Sequence, residues 1–376
     1  MRTRFERILA IKIADLGDAV LTLPALQALR SSYPHARLHV LTSPNGAALY
    51  RLCPVIDRIE VLDKSRLRQG QGLLAVLALG VQLRRRQYDA VLLFHHLTTR
   101  SGRLLYRALL AATGSPVRVG LDNGTGTFLT HPVVDRGFGA LAEWEYALAL
   151  VQALGVAEPP ARPFLTIPDE ARQRARTLLE GLPRPFAVLH PGVGPFAPAR
   201  RWPAERFAAV ARTLQAFGLG ITVTGTIAEA RDAAPLLAVD GIRDLVGRTD
   251  VPTLAAVLAE AAVVIGSDCG VVHLAAALGR PTLALFGPTN VEAWRPLDAR
   301  IAIAEPTGTP SASVLALTAQ LPCSPCCYVG YRLGRPQGCK QRTCLELLTP
   351  EVVARKALAL IGREPGHDCS CAERQP

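Results

Sequence analysis

Along this chain, short apolar runs alternate with longer stretches of helical period, and the alternation runs through twice. In the first half, residues 8–14, 38–42, 59–62, 90–94 and 117–121 are aliphatic runs that stop abruptly, as strands buried on both faces do. Helical stretches fall at 19–30, 72–86, 98–112 and 141–154, with an irregular Gly/Thr segment at 122–131. Pro24 either kinks the first helix or marks where its regular part begins. The proline-rich stretch 157–168 reads as a linker, and then the pattern restarts. Strands are expected at 186–189, 221–224, 244–246, 263–266 and 282–286, and the composition shifts after 301–304. Helices are expected at 171–179, 203–217, 228–237, 254–261 and 271–278. Such alternation predicts parallel, doubly wound sheets. The expected fold is therefore α/β, with two Rossmann-like parallel-sheet domains facing a central cleft. The first domain is placed at 1–160 and the second at 161–349, including a Cys-rich segment at 322–345. A closing helix and polar tail occupy 350–376.

Composition sharpens this picture. Hydrophobic residues make up 49% of the 376 and charged ones 19%, which suits a well-buried globular protein. The net charge of +11 is mostly arginine and favours anionic partners. No aromatic-interleaved basic block is present, which argues against nucleic acid. The first apolar run is interrupted by Lys12, unlike a signal peptide. No stretch reaches the roughly 20 apolar residues of a membrane span. A cytoplasmic protein is expected, touching an anionic membrane, if at all, through basic surface around Arg84, Arg85, Arg86, Arg100, Arg103 and Arg107.

Candidate chemistry gathers at the carboxyl ends of the strands, where open parallel sheets bind ligands. Ser267-Asp268-Cys269-Gly270 joins a strand to helix 271–278, whose N-terminus suits a phosphate. The plainer alternative makes Asp268 a helix cap and His273 a packed core residue. Asp15-Leu16-Gly17-Asp18 occupies the same kind of junction in the first half. Asp18 there is either a general base or a cap. The Gly192-Val193-Gly194 loop, with Ala197, loosely imitates a dinucleotide fingerprint. Pro195 and Pro198 interrupt the helix start, and Thr224 stands where the ribose-binding acid belongs, so a nicotinamide site is disfavoured. Arg200 suits a pyrophosphate, or else forms with Arg201 a solvated pair. Glu229 suits ribose hydroxyls, or is an ordinary first-turn acid. No DxD pair, P-loop or HExxH occurs, so departing phosphates would rely on arginine and helix dipoles. Cys323, Cys326, Cys339 and Cys344 are spaced as zinc or iron–sulfur ligands, or as free thiols.

Taken together, these residues resemble glycosyltransferase family 9, the ADP-heptose:lipopolysaccharide heptosyltransferases. The likeness rests on LGDAVLTLPAL, LHPG with RRWPAERF, and SDCGVVHLAAALGRPTLALFGPT, in that order over nearly the whole chain. It implies a GT-B fold, inversion at the anomeric carbon and no required cofactor. It also implies a nucleotide-diphospho-sugar donor, ADP-heptose in the first instance, and a lipopolysaccharide-core or other glycan or glycolipid acceptor. By position, Asp18 matches the catalytic base. Gly192, Val193, Arg200, Glu229, Asp268, Cys269, Gly270 and His273 match the donor side. Lys12, Gly17, His95 and Arg100 are assigned to the acceptor. Three departures fall on the donor side: Arg200 replaces a lysine, Cys269 a hydroxyl residue, and Val193 a serine or threonine. A cysteine run beginning CSPC recurs in the family, which favours a structural role for it. The alternatives are a different donor or acceptor, a non-catalytic nucleotide-sugar-binding protein, and a metal or redox module built on the cysteines.

Overall fold

The computed structural model describes residues 5–63, 72–157, 163–305 and 312–363. Two parallel sheets dominate it. The first has the order β3-β2-β1-β4-β5-β6, comprising Arg58–Val61, Arg37–Thr42, Arg7–Lys12, Ala90–Leu93, Val117–Asp122 and His131–Val134. The second has the order β12-β13-β11-β10-β7-β8-β9, comprising Arg300–Ile303, Val314–Thr318, Thr282–Phe286, Val263–Ser267, Phe186–His190, Gly220–Gly225 and Ile242–Val246. The central strands are buried throughout, which explains their unbroken aliphatic character. The chain is thus two Rossmann-like halves built one after the other, as expected.

Differences are local. The helix expected at 19–30 is two helices, Leu16–Val20 and Leu23–Ser32. Pro24 sits in the first turn of the second, where a missing N–H costs nothing. Strand β6 escaped notice because it is a largely exposed edge strand carrying Pro132. Strand β13, inserted between β11 and β12, follows a stretch outside the described residues. The helix Pro44–Tyr50, capped by Ser43 Oγ accepting from Gly46 N–H at 3.1 Å, was also unforeseen. Positions 158–162 of the expected linker and 364–376 of the expected tail lie outside the described residues. The helix Pro350–Leu360 packs against Ala204–Ala216 and completes a face of the second sheet.

The two halves are joined by more than the linker. One cluster of buried apolar side chains runs across both, taking in Leu49 and Tyr50 from the first and Leu254, Val271 and Val272 from the second. A two-stranded antiparallel hairpin, β14 (Cys327–Val329) and β15 (Arg332–Gly334), bridges the other edge. Cys326 and Cys327 N–H groups both donate to Pro288 O at 2.8 Å, which fixes the hairpin to the end of β11. On its far side, Phe138 N–H donates to Gly330 O at 2.7 Å, and the Tyr331 hydroxyl donates to Asp135 O at 3.1 Å.

Candidate active site

In each sheet the strand order reverses beside the first strand of the half, between β1 and β4 and between β7 and β10. In open parallel sheets ligands bind at the carboxyl ends beside such a reversal. Asp18 follows β1, and Asp268 follows β10, so both turns stand at switch points. The turns also face each other at contact distance. A Cβ on Gly17 would lie 2.9 Å from His273 Cδ2 and 3.2 Å from Gly270 Cα. A Cβ on Gly270 would lie 2.9 Å from Leu16 Cβ and 3.0 Å from Gly17 N. Only glycine at both positions lets the two backbones approach this closely.

On the first side, Asp15 occupies the N-cap position of helix Leu16–Val20, without a side-chain capping bond, so Asp18 is not the cap residue. Its Oδ1 lies 3.0 Å from Lys12 Nζ, with the lysine side chain 6% and the aspartate 27% exposed. Lys12 is thus a buried counter-charge, while the carboxylate still reaches solvent. His95 Nε2 accepts the Ile13 N–H at 2.8 Å, and its ring stacks on Tyr106 with centroids 4.7 Å apart. This histidine fixes the β1 end from within. Arg100 opens the helix Arg100–Thr113 and is exposed.

On the second side, Cys269 rather than Asp268 occupies the cap of helix Gly270–Ala277, and its side chain makes no capping bond. Burial pushes the Cys269 thiol up to about 12, so it stays protonated and unreactive. Asp268 is 4% exposed, 3.5 Å from Arg200 Nη1 and 3.8 Å from His273 Nε2. Burial alone would raise its pKa, but Arg200 and His273 hold it below the ordinary carboxylate value. These contacts are long, and Asp268 Oδ2, His273 Nδ1 and Thr289 Oγ1 are buried without a hydrogen-bond partner among the described residues. A buried polar group without a partner costs about 1–3 kcal/mol, so three around one turn make it a candidate site for a polar ligand. Arg200 Nη2 donates to Val193 O at 2.8 Å, so Val193 contributes its carbonyl. Arg201 instead pairs with Asp232 at 2.7 Å and faces away from this set.

Glu229 is already engaged. It accepts from Thr226 N–H at 2.8 Å, Thr226 Oγ1 at 2.9 Å and Gly194 N–H at 3.2 Å. These bonds and nearby His190 hold its pKa low against the opposing effect of burial. A Cβ on Gly192 would lie 2.2 Å from Glu229 Oε1, so that glycine admits the carboxylate to the loop. Glu229 therefore shapes the loop between β7 and Arg200.

Cys323, Cys326, Cys339 and Cys344 line one cavity of about 70 Å³. Their thiols suit a soft metal as donors. Yet among the described residues no three His, Cys, Asp or Glu side chains are grouped to hold a metal ion. Cys326 Sγ donates to Cys323 O at 3.2 Å, and Cys339 Sγ accepts from Arg342 N–H at 3.3 Å. The fit is thus one of donor type and not of geometry.

Two groups near the cleft were not foreseen. His96 is buried, with Nδ1 2.9 Å from Asp135 and Nε2 2.9 Å from Glu143. Burial would lower its pKa, but the two carboxylates raise it to about 9, making it an imidazolium at neutral pH. The dipeptide His95-His96 at a strand end was visible, but its partners lie 39 and 47 residues away. The second group is an aromatic cluster. Tyr328 has ring centroids 4.9 Å from Trp294, 5.0 Å from Phe138 and 6.2 Å from Phe196. The backbone of Tyr328 is left-handed, with φ +60°, a conformation that sequence does not announce for tyrosine.

Paired Rossmann-like domains whose switch points face each other define the GT-B class of glycosyltransferases. The chain belongs to glycosyltransferase family 9 (heptosyltransferase), whose profile matches residues 76–315. It is 26% identical over 320 residues to lipooligosaccharide heptosyltransferase 2 of Haemophilus influenzae, covering 79% of this chain and 87% of that one. Its fold matches Escherichia coli ADP-heptose LPS heptosyltransferase II with a TM-score of 0.70 at 21% identity, over 94% of this chain and 98% of that one. It also matches E. coli heptosyltransferase WaaC with ADP, with a TM-score of 0.62 at 23% identity, over 77% and 90%.

Proposed function

We propose that this glycosyltransferase moves a sugar, heptose in the first instance, from an ADP-activated donor to a lipopolysaccharide-core or related glycan or glycolipid acceptor, with inversion. The observation that carries the proposal is the contact between the Asp18 and Asp268 turns. It sets a solvent-reaching carboxylate opposite a buried, incompletely bonded polar set. The relatives' names supply heptose and ADP.

In this reading the first domain, 1–160, takes the acceptor and the second, 161–349, the donor. Arg200, the N–H of Gly270 and the dipole of helix Gly270–Ala277 receive the donor's diphosphate. Asp268 orients Arg200 and His273. Asp18 removes the proton of the acceptor hydroxyl as that oxygen attacks the anomeric carbon. The carbon–oxygen bond to the diphosphate breaks on the opposite face, which gives inversion. Lys12 stands beside Asp18 as its counter-charge at 3.0 Å, and Gly17 lets the turn approach its partner. Charge on the leaving group is met by Arg200 and the helix, so the proposed step runs without a metal. A structural zinc or iron–sulfur group at the four cysteines is a separate proposal, tested by metal analysis of the purified protein.

Acceptor access from a membrane surface is supported by the outer face of the first domain. Leu77, Val81 and Leu104 are 57%, 53% and 66% exposed, beside exposed Arg84, Arg85, Arg100 and Arg107. Among the described residues no helix is long and apolar enough to cross a membrane. Peripheral contact is therefore the proposed arrangement, and co-sedimentation with anionic against neutral vesicles tests it.

The deciding experiment is a thermal-shift screen against ADP-, GDP-, UDP- and dTDP-sugars, followed by NMR of the product's anomeric configuration. Stabilisation by ADP-sugars and an inverted product are expected. Stabilisation by another base redirects the donor, and a retained configuration overturns the mechanism.

A further inference from the structure

Tyr328 lies on the hairpin that joins the two halves, packed against aromatic side chains from both. Its backbone is left-handed, with φ +60°, a conformation a bulky residue holds only when its surroundings impose it. Those surroundings are the junction of both domains. Asn290 Nδ2 donates to Tyr328 O at 3.1 Å and to Phe138 O at 3.2 Å, which ties the tyrosine backbone to the first domain's loop. The ring is half-buried against Trp294 and Phe196 of the second domain and Phe138 of the first. Among the described residues its hydroxyl has no hydrogen-bond partner, and Trp294 Nε1 is likewise buried and unpartnered. The phenol is held protonated by burial and by the charges of Asp18 and Asp268, which outweigh Arg200. It thus lies within electrostatic reach of both turns, and at neutral pH its hydroxyl has a hydrogen to donate.

We propose that Tyr328 positions the transferred sugar, its hydroxyl donating to a sugar hydroxyl while the Tyr328–Trp294–Phe138 wall takes the ring's apolar face. A pyranose presents this combination, a C–H face and a rim of acceptors, and an aromatic wall with unpartnered donors complements it. The inference rests on the glycosyltransfer reading. It adds a residue from the Cys-rich hairpin, outside both turns, and assigns that hairpin the task of carrying it into the cleft.

The test uses Tyr328→Phe, which keeps the ring and the wall and removes only the hydroxyl. Calorimetry compares ADP with ADP-sugar on both proteins, and transfer is assayed at saturating donor. The expected result is unchanged ADP affinity, ADP-sugar affinity weakened towards that of ADP, and kcat reduced about 10-fold or more. A purely structural tyrosine leaves both quantities at wild-type values in Tyr328→Phe, and that outcome overturns the inference. Failure of the wild-type protein to bind any nucleotide-sugar overturns the glycosyltransfer reading itself. A Tyr328→Ala protein that still folds by circular dichroism is expected to lose more than Tyr328→Phe, because the wall goes as well. Equal activity of the two variants overturns the stacking part.

Discussion

The turns at Asp18 and Asp268 are built alike and used differently. Each follows a buried parallel strand, each leads into a helix, and each aspartate lies off the cap position. Asp18 reaches solvent and has one close cation, Lys12 at 3.0 Å. Asp268 is sealed and stands off from its cations at 3.5 and 3.8 Å. Exposure decides what a carboxylate does at such a junction. One that reaches a substrate hydroxyl can exchange a proton with it, whereas one locked behind an arginine aims that arginine and leaves its spare oxygen for a ligand. The shared local sequence says nothing of this division, because it is set by which neighbours bury the turn.

The contrast breaks most visibly at Asp18. Asp18→Asn is expected to reduce transfer about 10²–10⁴-fold while leaving ADP-sugar affinity unchanged by calorimetry. Near-normal turnover would sink the role assigned to it. Asp268→Asn is expected to act on stability and donor affinity together. It leaves Arg200 buried without a full counter-charge, a loss of about 3 kcal/mol in urea unfolding. Were it to behave like Asp18→Asn, with stability and binding intact, the division between the turns would be wrong.

Gly270→Ala places a methyl between the two turns and is expected to lower kcat about 10²-fold through misplacement. Unchanged kinetics would mean that the turns do not touch in the working enzyme.

The two halves should also fail at opposite ends of the pH scale. His96 has its pKa raised from 6.5 to about 9, so its contribution is complete below pH 6.5 and is lost as pH rises through 9. Asp268 has its pKa lowered, so its contribution is complete above about pH 4 and is lost as pH falls through the folded-state value. Melting curves of His96→Gln and Asp268→Asn against wild type should converge in alkali for the first and in acid for the second. Parallel curves across the range would remove both charge arguments. The smallest effect is expected from Cys269→Ser, within about 1 kcal/mol, because the thiol makes no capping bond.

Much of this was legible in the sequence. The doubly repeated strand–helix alternation is a local property, and continuous aliphatic runs between glycine- and aspartate-bearing turns reveal a parallel sheet and its working edge. The positions of Asp18, Arg200, Asp268 and Gly270 followed from that edge. The engagement of Glu229 with the Gly192–Gly194 loop did not, because it joins residues 35 positions apart. The interdomain hairpin was equally hidden. Its contact between Tyr331 and Asp135 spans 196 residues, and nothing in a short Cys- and Gly-rich run announces a strand. Tyr328 escaped for the same reason.

That hairpin is a strap between the two halves. With β14–β15 bonded to Pro288 on one side and to Phe138 and Asp135 on the other, the cleft is fastened along one edge. Any hinge motion between the halves must therefore bend this strap or pivot about it. If release of the spent nucleotide requires wider opening, turnover will be paced by the strength of the strap as much as by the chemistry at Asp18.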